Sequence, residues 1–214
     1  MKGIRSLVLD VDSTLTALEG IDWLAAQRGG TIAEYVAGLT DQAMSGKLIL
    51  DEVFELRLAA VRPSRNDIER LADAYLKSIS PGAPEAIRAI RVAGIRIVLV
   101  SGGIREAILP LASMLEIPGS DLHAVGISFD EAGEMAGFDR LTPLSHQHGK
   151  RMVVEGLSLP RPTMVVGDGA TDLEMRAAVD CFVAFTGVVR REAIVKQADV
   201  AVDSFSELME LVLG

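Results

Sequence analysis

Ile4-Arg5-Ser6-Leu7-Val8-Leu9-Asp10-Val11-Asp12-Ser13-Thr14 is the stretch that decides the fold. Leu7, Val8 and Leu9 form a continuous apolar run, the signature of a strand buried on both faces. A strand is expected over Ile4–Val11. Asp10 and Asp12 then fall at its carboxyl end, two residues apart, and on an extended segment both side chains point the same way. Ligands of open parallel sheets bind outside the carboxyl ends of the strands. Nothing in the stability of a sheet calls for acids there.

Further strands are expected at Ile95–Val100 and Thr163–Val166, then at Cys181–Phe185, with a short one at Val200–Val202. Helical spacing separates them, as in Pro84–Ala93, stopped by Gly94, and in Ile104, Ile108, Leu111, Ala112 and Leu115. Strands alternating with helices predict an α/β fold, a parallel sheet covered on both faces. Ser204-x-x-Glu207 reads as a capping box before a last helix over Leu208–Leu213. Ile127–Phe129 and Glu134–Phe138, with Asp130–Gly133 between them, read as a small β-hairpin.

One stretch breaks the alternation. From Leu18 to Lys77 there is no strand signal. Helices are expected to open at Thr31-x-x-Glu34, at Asp51 and at Ser64-x-x-Asp67. The return through Ser78-Ile79-Ser80-Pro81-Gly82 is rich in breakers. The expected division is a core of residues 1–16 and 78–214, interrupted by a helical domain of residues 17–77. Trp23 is expected to pack against neighbouring helices. The length of 214 residues, one and a half domains at roughly 150 residues each, suits such an interrupted core.

Lys and Arg number 21 against 30 Asp and Glu, a formal charge of −9 without a basic run. Nucleic acid and anionic membrane surfaces are poor partners for such a chain. A small anionic ligand would need a local positive site built against the protein's own field. The single cysteine, Cys181, excludes an intramolecular disulfide and a cysteine zinc site, and reads as a small buried hydrophobe. Lys2 and Arg5 precede an apolar stretch, but Asp10 and Asp12 break it too early for a signal peptide. No run approaches the ~18 apolar residues of a membrane span. A cytoplasmic protein is expected.

Three strand-end loops share one composition. They are Asp10–Thr14, Ser101-Gly102-Gly103 and Gly167-Asp168-Gly169-Ala170-Thr171-Asp172. Each alone reads as an ordinary turn; three in this order, each after a strand, do not read as independent accidents. Asp10, Asp12, Asp168 and Asp172 in one crevice would repel strongly unless protonated or bound to a cation. Hard oxygen ligands point to Mg²⁺, bridging carboxylates to a phosphate. Ser101 with the Gly102 and Gly103 amides, expected at the start of the next helix, makes a phosphate cradle.

These loops, with Lys150, resemble the four motifs of the haloacid dehalogenase (HAD) phosphatase superfamily. Glu19-Gly20-Ile21-Asp22, Met44-Ser45-Gly46, Arg57 followed by Pro63-Ser64, and Ala136-Gly137-Phe138-Asp139 extend the resemblance to its phosphoserine phosphatase branch, over nearly the whole chain. The resemblance implies a Rossmann-like core of strand order 3-2-1-4-5 with a helical cap inserted after the first strand. It implies an aspartyl-phosphate on Asp10, with Asp12 as acid and then base. It implies Mg²⁺ on Asp10, the Asp12 main-chain carbonyl and Asp168, with Asp172 close by. Ser101, Gly102, Gly103 and Thr171 would hold the phosphoryl group, and Lys150 would balance its charge. In the cap, Glu19 suits the ammonium of phosphoserine, Arg57 its carboxylate, and Met44 an apolar wall. The implied partner is a small molecule, and the assembly a monomer or homodimer.

The sequence departs from the family at Leu50, where relatives often carry Phe, and at Thr171, where some carry Asn. The pair His146 and His148 is not expected in the family and reads as a solvated loop. Other readings stay open: the same core acting on another small phosphomonoester, phosphoryl transfer to an alcohol such as homoserine, or a non-catalytic HAD-like binding domain. A two-component receiver also pairs a phosphorylatable Asp with a Lys, but the helical insertion and the length argue against it.

Overall fold

A computed structural model describes residues 3–45 and 53–214. Asp51, expected to open a helix, and Leu50 and Gly46 lie outside the described residues.

Six strands form one parallel sheet: β1 (Ser6–Leu9), β2 (Arg96–Ile104), β3 (Leu122–Val125), β6 (Thr163–Gly167), β7 (Cys181–Phe185) and β8 (Val200–Val202). A separate antiparallel pair, β4 (Ile127–Phe129) and β5 (Met135–Phe138), is the expected hairpin. The sheet order is β3-β2-β1-β6-β7-β8. With the hairpin strands set aside this is the order 3-2-1-4-5, extended at its edge by the short strand β8. β1, β6 and β7 are buried at every position, so both faces of the central sheet are covered.

Two sequence expectations need correction here. The strand β3 was not expected: it is four residues long, and His123 interrupts its apolar run. β1 ends at Leu9, not at Val11, because the chain turns sharply there; Ser13 takes a left-handed φ of 55°.

Ten helices connect the strands among the described residues. Five lie between β1 and β2, and the first four fall within residues 17–77: α1 (Gly20–Ala26), α2 (Gly30–Met44), α3 (Val53–Val61) and α4 (Arg65–Lys77). Helix α1 was not anticipated. Helix α4 starts as expected, with Ser64 and Asp67 in a reciprocal capping box. Helix α2 does not: Gly29 stands at its cap, and Thr31 lies inside the first turn. The remaining helices are α5 (Ala83–Val92), α6 (Arg105–Met114), α7 (Gly149–Gly156), α8 (Ala170–Leu173), α9 (Glu192–Val195) and α10 (Phe205–Leu213). Ser204 caps α10, accepting from the Glu207 amide. Among the described residues, no helix is long and apolar enough to cross a membrane.

The insertion leaves and rejoins the core at one place. Ala17 N–H donates to the Ser78 carbonyl (2.8 Å) and Ser80 N–H to that of Leu15 (2.9 Å), so the two crossings pair side by side. The hairpin reaches the insertion from the other side. Phe54 of α3 packs edge-on against Phe138 of β5, with ring centroids 5.2 Å apart. Glu55 and Arg140 form a two-pronged ion pair, each contact 2.6 Å. Trp23 is partly buried against the core cluster, and the Arg70 guanidinium lies over its ring.

Candidate active site

The carboxyl ends of β1, β2 and β6 open into one cavity, closed on the far side by the insertion. About 700 Å³ of empty space, including solvent at its mouth, lies between Asp10, Asp12 and Lys150 on the core and Glu19, Met44 and Arg57 on the insertion.

Asp10 follows β1 directly and is buried. Lys150, in the first turn of α7, reaches it from below: Nζ donates to Asp10 Oδ1 at 2.6 Å and to Asp172 Oδ1 at 2.7 Å. An exposed lysine is the ordinary state; this one is 7% exposed. Burial by itself would lower its pKa, but the Asp10 and Asp172 carboxylates outweigh it and raise it, so the ammonium stays charged. Asp172 folds back over the end of β6, its Oδ2 accepting from the Gly169 amide at 3.0 Å. This is possible only because residue 167 is glycine: a Cβ there would lie 2.2 Å from Asp172 Cγ.

Asp10, Asp168 and Asp172 each offer an oxygen within 4.8 Å of the others. Of these, the Asp10 and Asp168 carboxyls resist ionisation. Burial and the Asp172 charge push Asp10 well above the ordinary carboxylate range, and the same two causes take Asp168 to about 7. The donor set is hard oxygen at a separation one cation can span, so it fits a divalent metal. Thr14 Oγ1 donates to Asp168 Oδ1 at 3.3 Å. Arg191, in the loop before α9, forms an ion pair with Asp168 Oδ2. Neither contact was read from the sequence.

Asp12 does not join this cluster through its side chain, which corrects the expectation of four carboxylates facing together. The turn after β1 carries it elsewhere. Its Oδ1 accepts from the Gly20 amide (2.9 Å) and from the Tyr75 hydroxyl (2.6 Å). Its Oδ2 faces Ser101 Oγ at 3.4 Å. Burial is the largest effect on Asp12 and raises its pKa, partly offset by these donors.

The Ser101–Gly103 loop is a bulge in β2, where the register with β3 shifts between Val100 and Ile104. Helix α6 begins only at Arg105, so Gly102 and Gly103 precede the helix and do not open it. Ser101 Oγ accepts from the Gly103 amide at 2.9 Å. A side chain on Gly103 would start 2.8 Å from Asp12 Oδ2, so glycine is what lets the loop approach the carboxylate.

Across the cavity, Glu19 accepts from Ser13 Oγ at 2.8 Å; burial and the Asp12 charge raise it to about 8. Arg57 is buried, held loosely by Asp22 at 3.4 Å, which in turn accepts from Thr40 at 2.6 Å. Two buried polar atoms in the cavity wall, Arg57 Nε and Thr171 Oγ1, have no hydrogen-bond partner among the described residues. A buried orphan costs about 1–3 kcal/mol, and both atoms could bond a ligand in the cavity. Met44 lies over the Gly169 loop and forms the apolar wall. His146 and His148 border the cavity, His148 with Nδ1 3.1 Å from Glu174.

A model of haloacid dehalogenase-like hydrolases matches residues 4–180. The chain belongs to that family of hydrolases. Curated phosphoserine phosphatases are among its relatives. The chloroplastic enzyme of Arabidopsis thaliana is 36% identical over 213 residues, covering 97% of this chain and 72% of the relative. The Bos taurus enzyme is 34% identical over 207 residues, covering 95% and 91%. Among solved structures, a phosphoserine phosphohydrolase-like protein from Francisella tularensis matches with a TM-score of 0.89, covering 98% of this chain and all of the other. At 23% identity that likeness is one of fold.

Proposed function

We propose that the chain is a Mg²⁺-dependent phosphoserine phosphatase, cleaving O-phospho-L-serine to L-serine and inorganic phosphate. One observation carries the reading: a single cavity holds a buried nucleophile–acid pair, Asp10 and Asp12, opposite Glu19 and Arg57, whose Nε has no partner among the described residues. Phosphate, ammonium and carboxylate each have a complementary group there.

Asp10 attacks phosphorus in line; an oxygen–phosphorus bond forms and the serine oxygen leaves. Asp12 gives that oxygen its proton. A water molecule then attacks the aspartyl-phosphate, Asp12 takes the water's proton, and the bond to Asp10 breaks. Ser101, the Gly102 and Gly103 amides and Thr171 would hold the phosphoryl oxygens. Lys150 would balance the charge they carry, a role its contacts with Asp10 and Asp172 support. Asp10, Asp168 and the Asp12 main-chain carbonyl would hold Mg²⁺, with Asp172 close by; bound there, the ion supplies positive charge to the phosphoryl group.

Residues 17–77 act in this reading as a cap over a core of residues 1–16 and 78–214, and the paired crossings at Ala17–Ser78 and Leu15–Ser80 support that division. The one thiol, buried, suits a reducing cytoplasm. The assembly is proposed as a monomer or homodimer.

The test is phosphate release from a panel of phosphorylated metabolites, with and without Mg²⁺ and with acceptor alcohols including homoserine. Preferred, Mg²⁺-dependent hydrolysis of phosphoserine is expected. Preference for another ester, or transfer to an alcohol, would replace the assignment, and release from no member would indicate a binding domain.

A further inference from the structure

The Asp12 carboxyl group is clamped by the two ends of the insertion. Gly20 is the first residue of α1 and Tyr75 lies in the last turn of α4, so they sit where the chain enters and leaves that unit. Their donors converge on one oxygen, Asp12 Oδ1, at 2.9 Å and 2.6 Å. The fit between them is tight: a Cβ on Gly20 would lie 2.1 Å from the Tyr75 hydroxyl. Tyr75 is 0% exposed and shares no surface with the cavity.

An oxygen that accepts from both an N–H and an O–H has no free direction for a proton of its own. With Oδ1 taken by these two donors, Oδ2 is the oxygen left turned toward Ser101 and Gly103, and hence toward the phosphoryl cradle. A buried phenol would otherwise need another partner, and a free carboxyl could rotate its proton away from the leaving group.

We infer that Tyr75 is a positioning residue of the reaction: its hydroxyl, with the Gly20 amide, fixes the Asp12 carboxyl so that Oδ2 presents the proton to the departing oxygen. The inference rests on Asp12 being the general acid proposed above. Tyr75 touches no substrate and acts only through Asp12.

The experiment compares two leaving groups in single-turnover formation of the phosphoenzyme with Mg²⁺ present. Serine leaves as an alkoxide unless protonated, whereas nitrophenolate, from p-nitrophenyl phosphate, leaves without a proton. Tyr75→Phe removes one oxygen atom, keeps the ring volume, and leaves Asp12 Oδ1 with the Gly20 donor. It is expected to slow phosphorylation by phosphoserine about tenfold, part of the roughly 10²–10⁴-fold a positioned acid supplies, and to change that by p-nitrophenyl phosphate less than about twofold. The KM for phosphoserine is expected to stay within about twofold, since no substrate contact is lost. Leu71→Val, which thins the packing of the same helix without touching Asp12, should show no leaving-group selectivity. Equal losses on both substrates, no loss on either, or the same selectivity in Leu71→Val would overturn the inference. Asp12→Asn is measured alongside: selective loss there with none in Tyr75→Phe overturns the role of Tyr75 alone, and no selective loss in Asp12→Asn overturns the acid assignment and this inference with it.

Discussion

Lys150 Nζ lies 2.6 Å from Asp10 Oδ1, and both groups are buried. The ammonium is the nearest positive charge to the proposed nucleophile and also touches Asp172. Lys150→Met keeps the length of the chain and removes the charge. Its kcat/KM for phosphoserine should fall roughly 10²–10³-fold, the scale for losing one charge-stabilising donor. Steady-state phosphate release measures this, and a loss below about threefold would contradict the role.

Arg57 lines the cavity; among the described residues its Nε has no partner and its ion pair with Asp22 is long. If it binds the substrate carboxylate, Arg57→Ala should lower kcat/KM for phosphoserine by roughly 10–100-fold, the worth of ~1.5–3 kcal/mol for a charged hydrogen bond. Phosphoethanolamine has the ammonium and phosphate but no carboxylate, and its turnover should change little. Equal losses on the two substrates would remove Arg57 from carboxylate recognition.

Glu19 stands at about 8 because burial and the Asp12 charge oppose its ionisation. Below that pH it carries a proton that must leave before it can pair with an ammonium. The ratio of kcat/KM for phosphoserine to that for phosphoglycolate, which lacks the ammonium, should therefore rise as pH climbs toward about 8 and level off above it. Glu19→Gln should flatten the rise. A ratio independent of pH in the wild type would contradict the pairing.

Asp67 takes three donors on one oxygen: the Arg28 guanidinium, the Ser64 amide and the Ser64 hydroxyl. The Arg28 hydrogen bond is the largest cause that lowers its pKa to about 2. A depressed carboxylate adds stability above its unfolded value of 3.8 and loses it as pH falls through its folded value. Asp67→Ala should cost about 2 kcal/mol at neutral pH, where the cap and the ion pair are both intact. The gap to wild type should shrink toward pH 2, as read by urea unfolding at the two pH values. A gap that does not change with pH would contradict the electrostatic origin.

Much of this site was legible because its motifs are local. Asp10 and Asp168 each follow a continuous apolar strand and Ser101 follows the apolar run Ile97–Val100 within β2, so the apolar run fixes the residue and the topology brings the three together. The cap helix at Ser64-x-x-Asp67 was legible for the same reason: its cap is closed within four residues. What escaped depends on distant partners or irregular backbone. Tyr75 shares the apolar face of Ile68, Leu71 and Ala72, and its hydroxyl finds Asp12 63 residues away. Arg191 reaches Asp168 from a loop 23 residues on. The divergence of Asp10 and Asp12 follows from a left-handed Ser13 that strand alternation does not foresee. Strand β3 is too short, and too interrupted by His123, to stand out as a periodic run.

The central claim is that Asp10 becomes phosphorylated. Phosphoserine labelled in its phosphate is mixed with the protein and Mg²⁺ and quenched in acid, and the labelled peptide is sequenced. The account predicts an acid-stable, base-labile label on Asp10, absent from Asp10→Asn together with turnover. Substantial turnover by Asp10→Asn, or a label on another residue, would contradict it.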